Sequence, residues 1–289
     1  MRPTGILVFV PASGQQVMAI TAQALYNLAS YLTGQGIPHA FTWVSAADIV
    51  DIRNLAVTTW YDGHPEYSHL LFIDADMGFP CDPAYGKPNL IRDMIKLDKP
   101  VMGCFYAKRK GDPEIVGTAE PHTLEDVKHG FLKVTGLGCG VMMISRDVIK
   151  TMLEKIPHIS DRITSLLARS VPDVKLTRII GAFDKLKTDE RMLNEARINT
   201  QLLQALGSGE ELEKATSEWL AALKENRTND GRCLRLSEDM SFCYRWTELC
   251  GGEIWANVNH RINHVGPFDY AIRYQGILEA KDESRKAAA

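Results

Sequence analysis

Two pairs of acids stand out in this 289-residue sequence. Asp74 and Asp76, separated by Ala75, follow an apolar run in the stretch HLLFIDADMGF, and Glu238 and Asp239 open the stretch EDMSFCYRWTELCGG. A carboxylate delivered by a buried strand must be hydrated, hydrogen-bonded or neutralised by a cation, because burying it alone is strongly unfavourable. Side chains alternate along an extended segment, so an Asp-x-Asp pair there puts both carboxylates on one side. Two adjacent hard oxygens suit Mn²⁺ or Mg²⁺, and such an ion can also hold a diphosphate.

Other residues have chemistry to offer. Arg53 can pair through its guanidinium with a phosphate or a base carbonyl, although a surface arginine on a helix accounts for it equally. Gly136, Gly138 and Gly140 allow the backbone to approach a sugar closely or make a tight turn. Their GxGxG spelling is not a dinucleotide-binding fingerprint, because no suitable helix follows it. Between residues 162 and 191 seven basic residues stand against four acids. With Lys108, Arg109 and Lys110, a face bearing Arg169, Arg178 and Lys185 could track the phosphates of a polyanion, although such helices are ordinarily just solvated.

These residues need elements to hold them. GILVFV (5–10) reads as a first strand, and apolar residues at helical spacing follow over 17–33. A second strand over 39–44, a helix over 49–60 and the strand 70–73 come next; a helix over 89–97 and strands over 100–106, 131–135 and 136–144 continue the alternation. Strands alternating with helices predict an α/β fold with a mixed, mostly parallel sheet and helices on both faces. Ligands of such sheets bind beyond the carboxyl ends of the strands, where Asp74 and Asp76 sit. From about residue 154 to 229 the pattern reads as helices only, capped at Ser160, restarted at Pro172 and capped again at Thr188. A helix with a glycine pair at its end, a strand over 253–266 and a frayed polar tail beyond Gln275 complete the reading.

The composition is that of an ordinary globular protein, 45% hydrophobic and 24% charged, and the formal net charge of -3 argues against nucleic-acid binding through overall charge. Six cysteines without paired spacing signal neither a zinc site nor a disulfide framework. No apolar run approaches membrane-spanning length. We expect a soluble protein with free thiols in a reducing cytoplasm, the host's if the chain is viral.

The segments YSHLLFIDADMGF and KPVMGCFYAKRK, with Arg53 and Asn54 before them, resemble the nucleotide-sugar-binding half of glycosyltransferases with the A-type (GT-A) fold, close to family 2. TGLGCGVMMISRDVI resembles the family's glycine-bearing acceptor-side strand, and LSEDMSFCYRWTELCGGEIWANVNHRINHVG its Glu-Asp helix, glycine turn and terminal histidine. The resemblance covers residues 5–150 and 233–267. It implies donor contacts from Pro11, Ala12, Ser13, Asp74, Ala75 and Asp76, a metal held by Asp76 and His264 with Asp74 nearby, and an acceptor side at Gly136, Gly138, Gly140 and Trp246. Asp239, with Glu238 next, would take the acceptor's proton in an inverting transfer. The helix macrodipole also favours acids at that position, and a lone histidine is often structural.

The expected organisation is a nucleotide-sugar-binding part over 1–150, an all-helical insertion over 151–232, a part over 233–275 that completes the domain, and a tail over 276–289. The expected function is metal-dependent transfer of a sugar, from a UDP-linked donor in the first instance, to a hydroxyl of a saccharide or of a hydroxymethylated base in DNA. The alternatives are a nucleotide-sugar-binding module without turnover and a nucleotidylyltransferase. The second would ordinarily carry a basic glycine-rich loop where this chain has PASGQQ.

Overall fold

Strand β1 (Ile6–Pro11) is apolar at every position because both of its faces are covered. Leu7 and Phe9 join one core, while Ile6, Val8 and Val10 join another. The computed structural model describes residues 3–45, 48–109, 115–117, 122–162, 176–189, 198–199, 201–202, 205–209, 211–228, 233–266 and 269–288. The chain divides into two compact units, residues 1–184 with 239–289, and residues 185–238.

The first unit continues with α1 (Ala19–Gly34), β2 (His39–Val44), α2 (Ile49–Thr58), β3 (His69–Ile73), β4 (Met77–Gly78) and α3 (Leu90–Leu97). Then come β5 (Val101–Cys104), β6 (Tyr106–Ala107), β7 (Ile115–Val116), β8 (Phe131–Val134), β9 (Val141–Ser145) and α4 (Arg146–Lys155). Asp48 and Asn89 cap α2 and α3 by accepting from the backbone N–H groups of Val50 and Arg92.

The central sheet is completed by β14 of the chain's last third (Ile254–Asn257), in the order β2-β1-β3-β9-β5-β14-β8. Strands β1, β2 and β3 run parallel, as do β5 and β14, while β9 and β8 run against their neighbours. The fold is therefore mixed α/β with five of seven strands in one direction. Residues of α2 and α4 pack on one face of the sheet, and residues of α1 and α3 on the other.

Several expected elements differ. The segment read as all helix contains β10 (Ser160–Arg162) paired antiparallel to β11 (Arg178–Ile180). Leu176, Ile179, Ile180 and Phe183 imitate helical spacing, yet Ile180 and Phe183 are completely buried in the core of the first unit. Thr188 lies in a strand, β12 (Lys187–Asp189), and does not cap a helix; β12 pairs with β13 (Cys233–Arg235) in the second unit. Helix α5 (Leu212–Thr228) also belongs to that unit and agrees with expectation. The helix start expected at Pro172 lies outside the described residues.

Helix α6 (Glu238–Tyr244) continues into a π-helical turn that ends at the expected glycine pair, Gly251 taking φ +71°. The single strand expected next is two, β14 and β15 (Ile262–Val265), the latter pairing with β16 (Asp269–Ile272). The expected frayed tail is α7 (Tyr274–Ala288), anchored by buried Tyr274 and Leu278, with the Tyr274 ring 4.2 Å from that of Phe105. Five described cysteines are free and buried.

His69 starts β3 in a buried position, and burial pushes its imidazole down to about 4 from an ordinary 6.5. The unfolded chain therefore binds more protons between these values, so stability is full above 6.5 and falls as the pH drops towards 4. We expect this group alone to remove on the order of 3 kcal/mol across that window. Urea titrations of the wild type and His69→Gln should show a flatter pH dependence in the variant; equal slopes would contradict it.

Candidate active site

The backbone just after β3 is fixed on three sides. Asp74 N–H donates to Gly140 O at 2.9 Å, Met18 N–H to Ala75 O at 2.8 Å, and Val265 N–H to Asp76 O at 2.9 Å. Met77 N–H returns to Asp74 O at 3.1 Å, so the acids sit on a turn and not on an extended segment. The two carboxylates accordingly have different partners. Both border a cleft of about 430 Å³ whose wall includes Pro11, Met18, Ile49, Ala75 and Arg109, a size suited to small-molecule ligands. A larger hollow of about 650 Å³ along α7 is lined by neither acid pair.

Asp76 belongs to a surface-facing cluster. Strand β4 follows it directly and pairs with β15, placing His264 opposite Met77. His264 Nε2 thereby lies 3.8 Å from Asp76 Oδ2. The other ring nitrogen, Nδ1, lies 2.7 Å from Ala107 O; a carbonyl only accepts, so Nδ1 carries the proton and Nε2 keeps its lone pair. Burial and the nearby Arg109 charge push His264 down, favouring the neutral ring, against the opposing pull of the Ala107 hydrogen bond. Arg109 pairs with Asp76 and donates from Nε to His264 Nε2 at 3.0 Å. Asp76 Oδ1 is buried without a hydrogen-bond partner.

This set fits a divalent cation that has further ligands of its own. It offers one carboxylate with an unpartnered oxygen and one imidazole oriented through its far nitrogen, as metal-binding histidines usually are. Among the described residues no three His, Cys, Asp or Glu side chains form a metal-holding group. A protein supplying so few ligands matches the way Mg²⁺-type ions are shared with substrate phosphates.

Asp74 turns inward, towards Arg53. The sequence suggested Arg53 as a donor contact; it is buried, 3% exposed, between two carboxylates. Its guanidinium lies 3.4 Å from both oxygens of Asp74 and 3.4 Å from Asp239 Oδ1. The rings of Phe72 and Phe183 flank it at 5.7 and 5.8 Å. Burial alone would favour losing the proton, but Asp74 and Asp239 outweigh it and hold the guanidinium charge firmly. Arg53 thus joins the acid at the end of β3 to the acid at the start of α6. Glu238, beside Asp239, is partly exposed.

Segment 180–184 makes the wall behind Arg53, and it escaped the sequence reading. Asn54 accepts from Phe183 N–H at 2.8 Å and donates to Asp184 at 2.7 Å. Thr58 Oγ1 accepts from Ile180 N–H, and Arg245 donates to the carbonyls of Ala182 and Asp184. Phe183 then stacks on Phe242 with centroids 4.7 Å apart. A charged and an amide side chain within the apolar helix IVDIRNLAVT were the available signal.

Other expected residues find different settings. Gly138 and Gly140 accommodate Tyr106: a Cβ on Gly138 would lie 2.3 Å from the tyrosine hydroxyl, and one on Gly140 2.8 Å from its ring. Burial, then the charges of Asp239 and Asp74, push the Tyr106 hydroxyl up, so it stays protonated beside them. Gly136 is also buried. Trp246 lies in the core, away from the cleft lining, donating to Glu253 O and filling the space beside Gly252. Ala12 is buried next to Pro11; the Ser13 side chain lies outside the described residues. Of the expected polyanion contacts, Arg178 is held by Asp62 through two bonds of 2.8 Å, and Lys108 and Lys185 are exposed. Lys110 and Arg169 lie outside the described residues. No described helix is long and apolar enough to cross a membrane.

No protein-family model matches the chain, and no curated protein matches it. Among solved structures it is similar to A197 from STIV, with 16% identity over 53% of this chain and 68% of that one, at a TM-score of 0.34. A glycosyltransferase involved in glycosylation of the major capsid of PBCV-1 matches with 10% identity, 53% and 69% coverage and a TM-score of 0.30. A mutant Drosophila β1,4-galactosyltransferase 7 in complex with manganese, UDP-Gal and xylobiose matches with 12% identity and a TM-score of 0.28; 51% of this chain spans 52% of that one. At TM-scores no higher than 0.34 these likenesses carry nothing about what this chain binds.

Proposed function

We propose that the cleft at Asp74 and Asp76 binds a nucleotide-diphospho-sugar with a divalent cation, and that the protein transfers the sugar to an acceptor hydroxyl. The observation that carries this reading is the pairing of β4 with β15. It brings the unprotonated Nε2 of an imidazole to within 3.8 Å of a carboxylate whose other oxygen is buried and unpartnered. Asp76 and His264 would hold Mn²⁺ or Mg²⁺, which when bound would neutralise charge building on the leaving diphosphate.

The chain's own residues supply the rest. Pro11 ends β1 at the cleft and Ala12 follows it, with Met18, Ile49 and Ile52 giving apolar surface for a base and ribose. Asp74, steadied by Arg53, presents its carboxylate to the donor's ribose or sugar. Asp239 accepts the acceptor hydroxyl's proton as that oxygen attacks the anomeric carbon, and a single displacement of this kind inverts the centre. Arg53 keeps Asp239 fixed relative to the donor acid. A UDP-linked sugar is the first donor to try, and a saccharide the first acceptor. A hydroxymethylated base in DNA is the second acceptor class to try.

A panel of nucleotide sugars and of saccharide and hydroxymethylated-DNA acceptors, read by nucleotide release and product mass, tests this. Sugar-bearing product with stoichiometric release is expected. Donor binding without release across the panel would favour a binding module.

A further inference from the structure

Arg109 occupies both protein groups that fit the cation. Its guanidinium pairs with Asp76, and its Nε–H donates to His264 Nε2 at 3.0 Å. The lone pair that a metal would use is therefore engaged. Arg109 is also the most accessible of the three: its side chain is 42% exposed, against 19% for Asp76 and 15% for His264. The arginine stem passes over Gly266, where an added Cβ would come within 3.0 Å of Arg109 Cδ. Asp76, Arg109 and Gly266 all line the same cleft.

The charges explain what such an arrangement would do. With neutral His264, Asp76 and Arg109 sum to zero. A divalent cation entering alone would displace the guanidinium and leave it as a like charge close by, with only one carboxylate between them. A diphosphate entering together with the ion restores the balance and gives the guanidinium's planar fork phosphate oxygens to donate to.

Building on the donor-site reading above, we propose that Arg109 is an exchangeable cation: it holds Asp76 and His264 in the empty cleft and yields them to the metal when a diphosphate arrives to receive it. Metal and nucleotide then bind with positive coupling, and Arg109 adds to the coupling that the metal's own contact with the diphosphate supplies. The full chain, its Arg109→Gln variant and its Arg109→Lys variant can be titrated calorimetrically with Mn²⁺ alone, with UDP alone and with both. In Arg109→Gln we expect Mn²⁺ alone to bind about ten-fold tighter than in the wild type, and UDP in the presence of Mn²⁺ to bind about ten-fold weaker. Arg109→Lys, which keeps the charge but cannot bridge both partners, should fall between.

In the wild type, UDP should raise Mn²⁺ affinity by a clearly larger factor than in Arg109→Gln. Equal Mn²⁺ affinity of wild type and Arg109→Gln, with UDP binding still dependent on Mn²⁺, would overturn the exchange and leave the donor site standing. Failure of the wild type to bind UDP with or without Mn²⁺ would overturn both. An indifference of wild-type Mn²⁺ affinity to UDP would also reject the exchange, whatever the stability of the variants.

Discussion

Asp239→Asn is expected to lower sugar transfer by about 10²–10⁴-fold, the usual contribution of a positioned general base, while UDP binding changes little. Asparagine preserves the shape of the side chain and an oxygen towards Arg53, but it cannot take a proton at that position. Helix α6 directs Asp239 at the guanidinium that also holds Asp74, so Asp74 and the proposed base share one buried cation. Initial rates of nucleotide release and product mass would be compared with donor affinity measured separately. Transfer retained within ten-fold of wild type would remove Asp239 from the chemistry; equal losses of binding and transfer would make it a donor-site residue instead.

The second large effect is expected on stability. Arg53→Met should destabilise the fold by about 3–5 kcal/mol, because removing one partner of a buried ionic group leaves the others uncompensated. Here two carboxylates, with side chains 26% and 13% exposed, would be left without the guanidinium between them. The rings of Phe72 and Phe183 would also lose the flat cation they flank. Arg53→Lys should recover only part of the loss, since a point charge cannot reach both acids as the planar fork does. Urea unfolding midpoints measure this; a loss below about 1 kcal/mol would show that Arg53 behaves like an exposed ion pair.

Much of the fold up to β3 was legible in the sequence because it is written in strong patterns. The runs that become β1 and β3 are apolar apart from His69, as strands covered on both faces tend to be, and the acids end one of them abruptly. His264 was reachable from the resemblance, but the means of bringing it to Asp76 was not. That depends on a two-residue strand, β4, and on the register of β15, both too short to give a periodic signal. Segment 176–184 misled for the opposite reason: its apolar spacing looks helical, while Thr58, Asn54 and Arg245 hold its backbone in place from outside.

Arg53 shows how a residue can be singled out correctly and its setting missed. A guanidinium in an apolar helix needs an anion, and the sequence holds two acid pairs at element ends. That it meets one acid of each pair depends on how α2 and α6 pack on the same face of the sheet. The same limit applied to Trp246, which the glycine turn draws into the core. Gly138 and Gly140 were read as room for a sugar or as a tight turn, and a buried tyrosine of the chain itself packs against them.

Asp76 is proposed to belong to a cation-dependent nucleotide site. The most direct test is calorimetric titration of UDP into the wild type and Asp76→Asn, each with Mn²⁺ and with chelator. The wild type should bind UDP at least ten-fold tighter with Mn²⁺ than with chelator, and Asp76→Asn should lose that dependence. Wild-type binding indifferent to Mn²⁺, or an Mn²⁺ dependence left intact in Asp76→Asn, would contradict it.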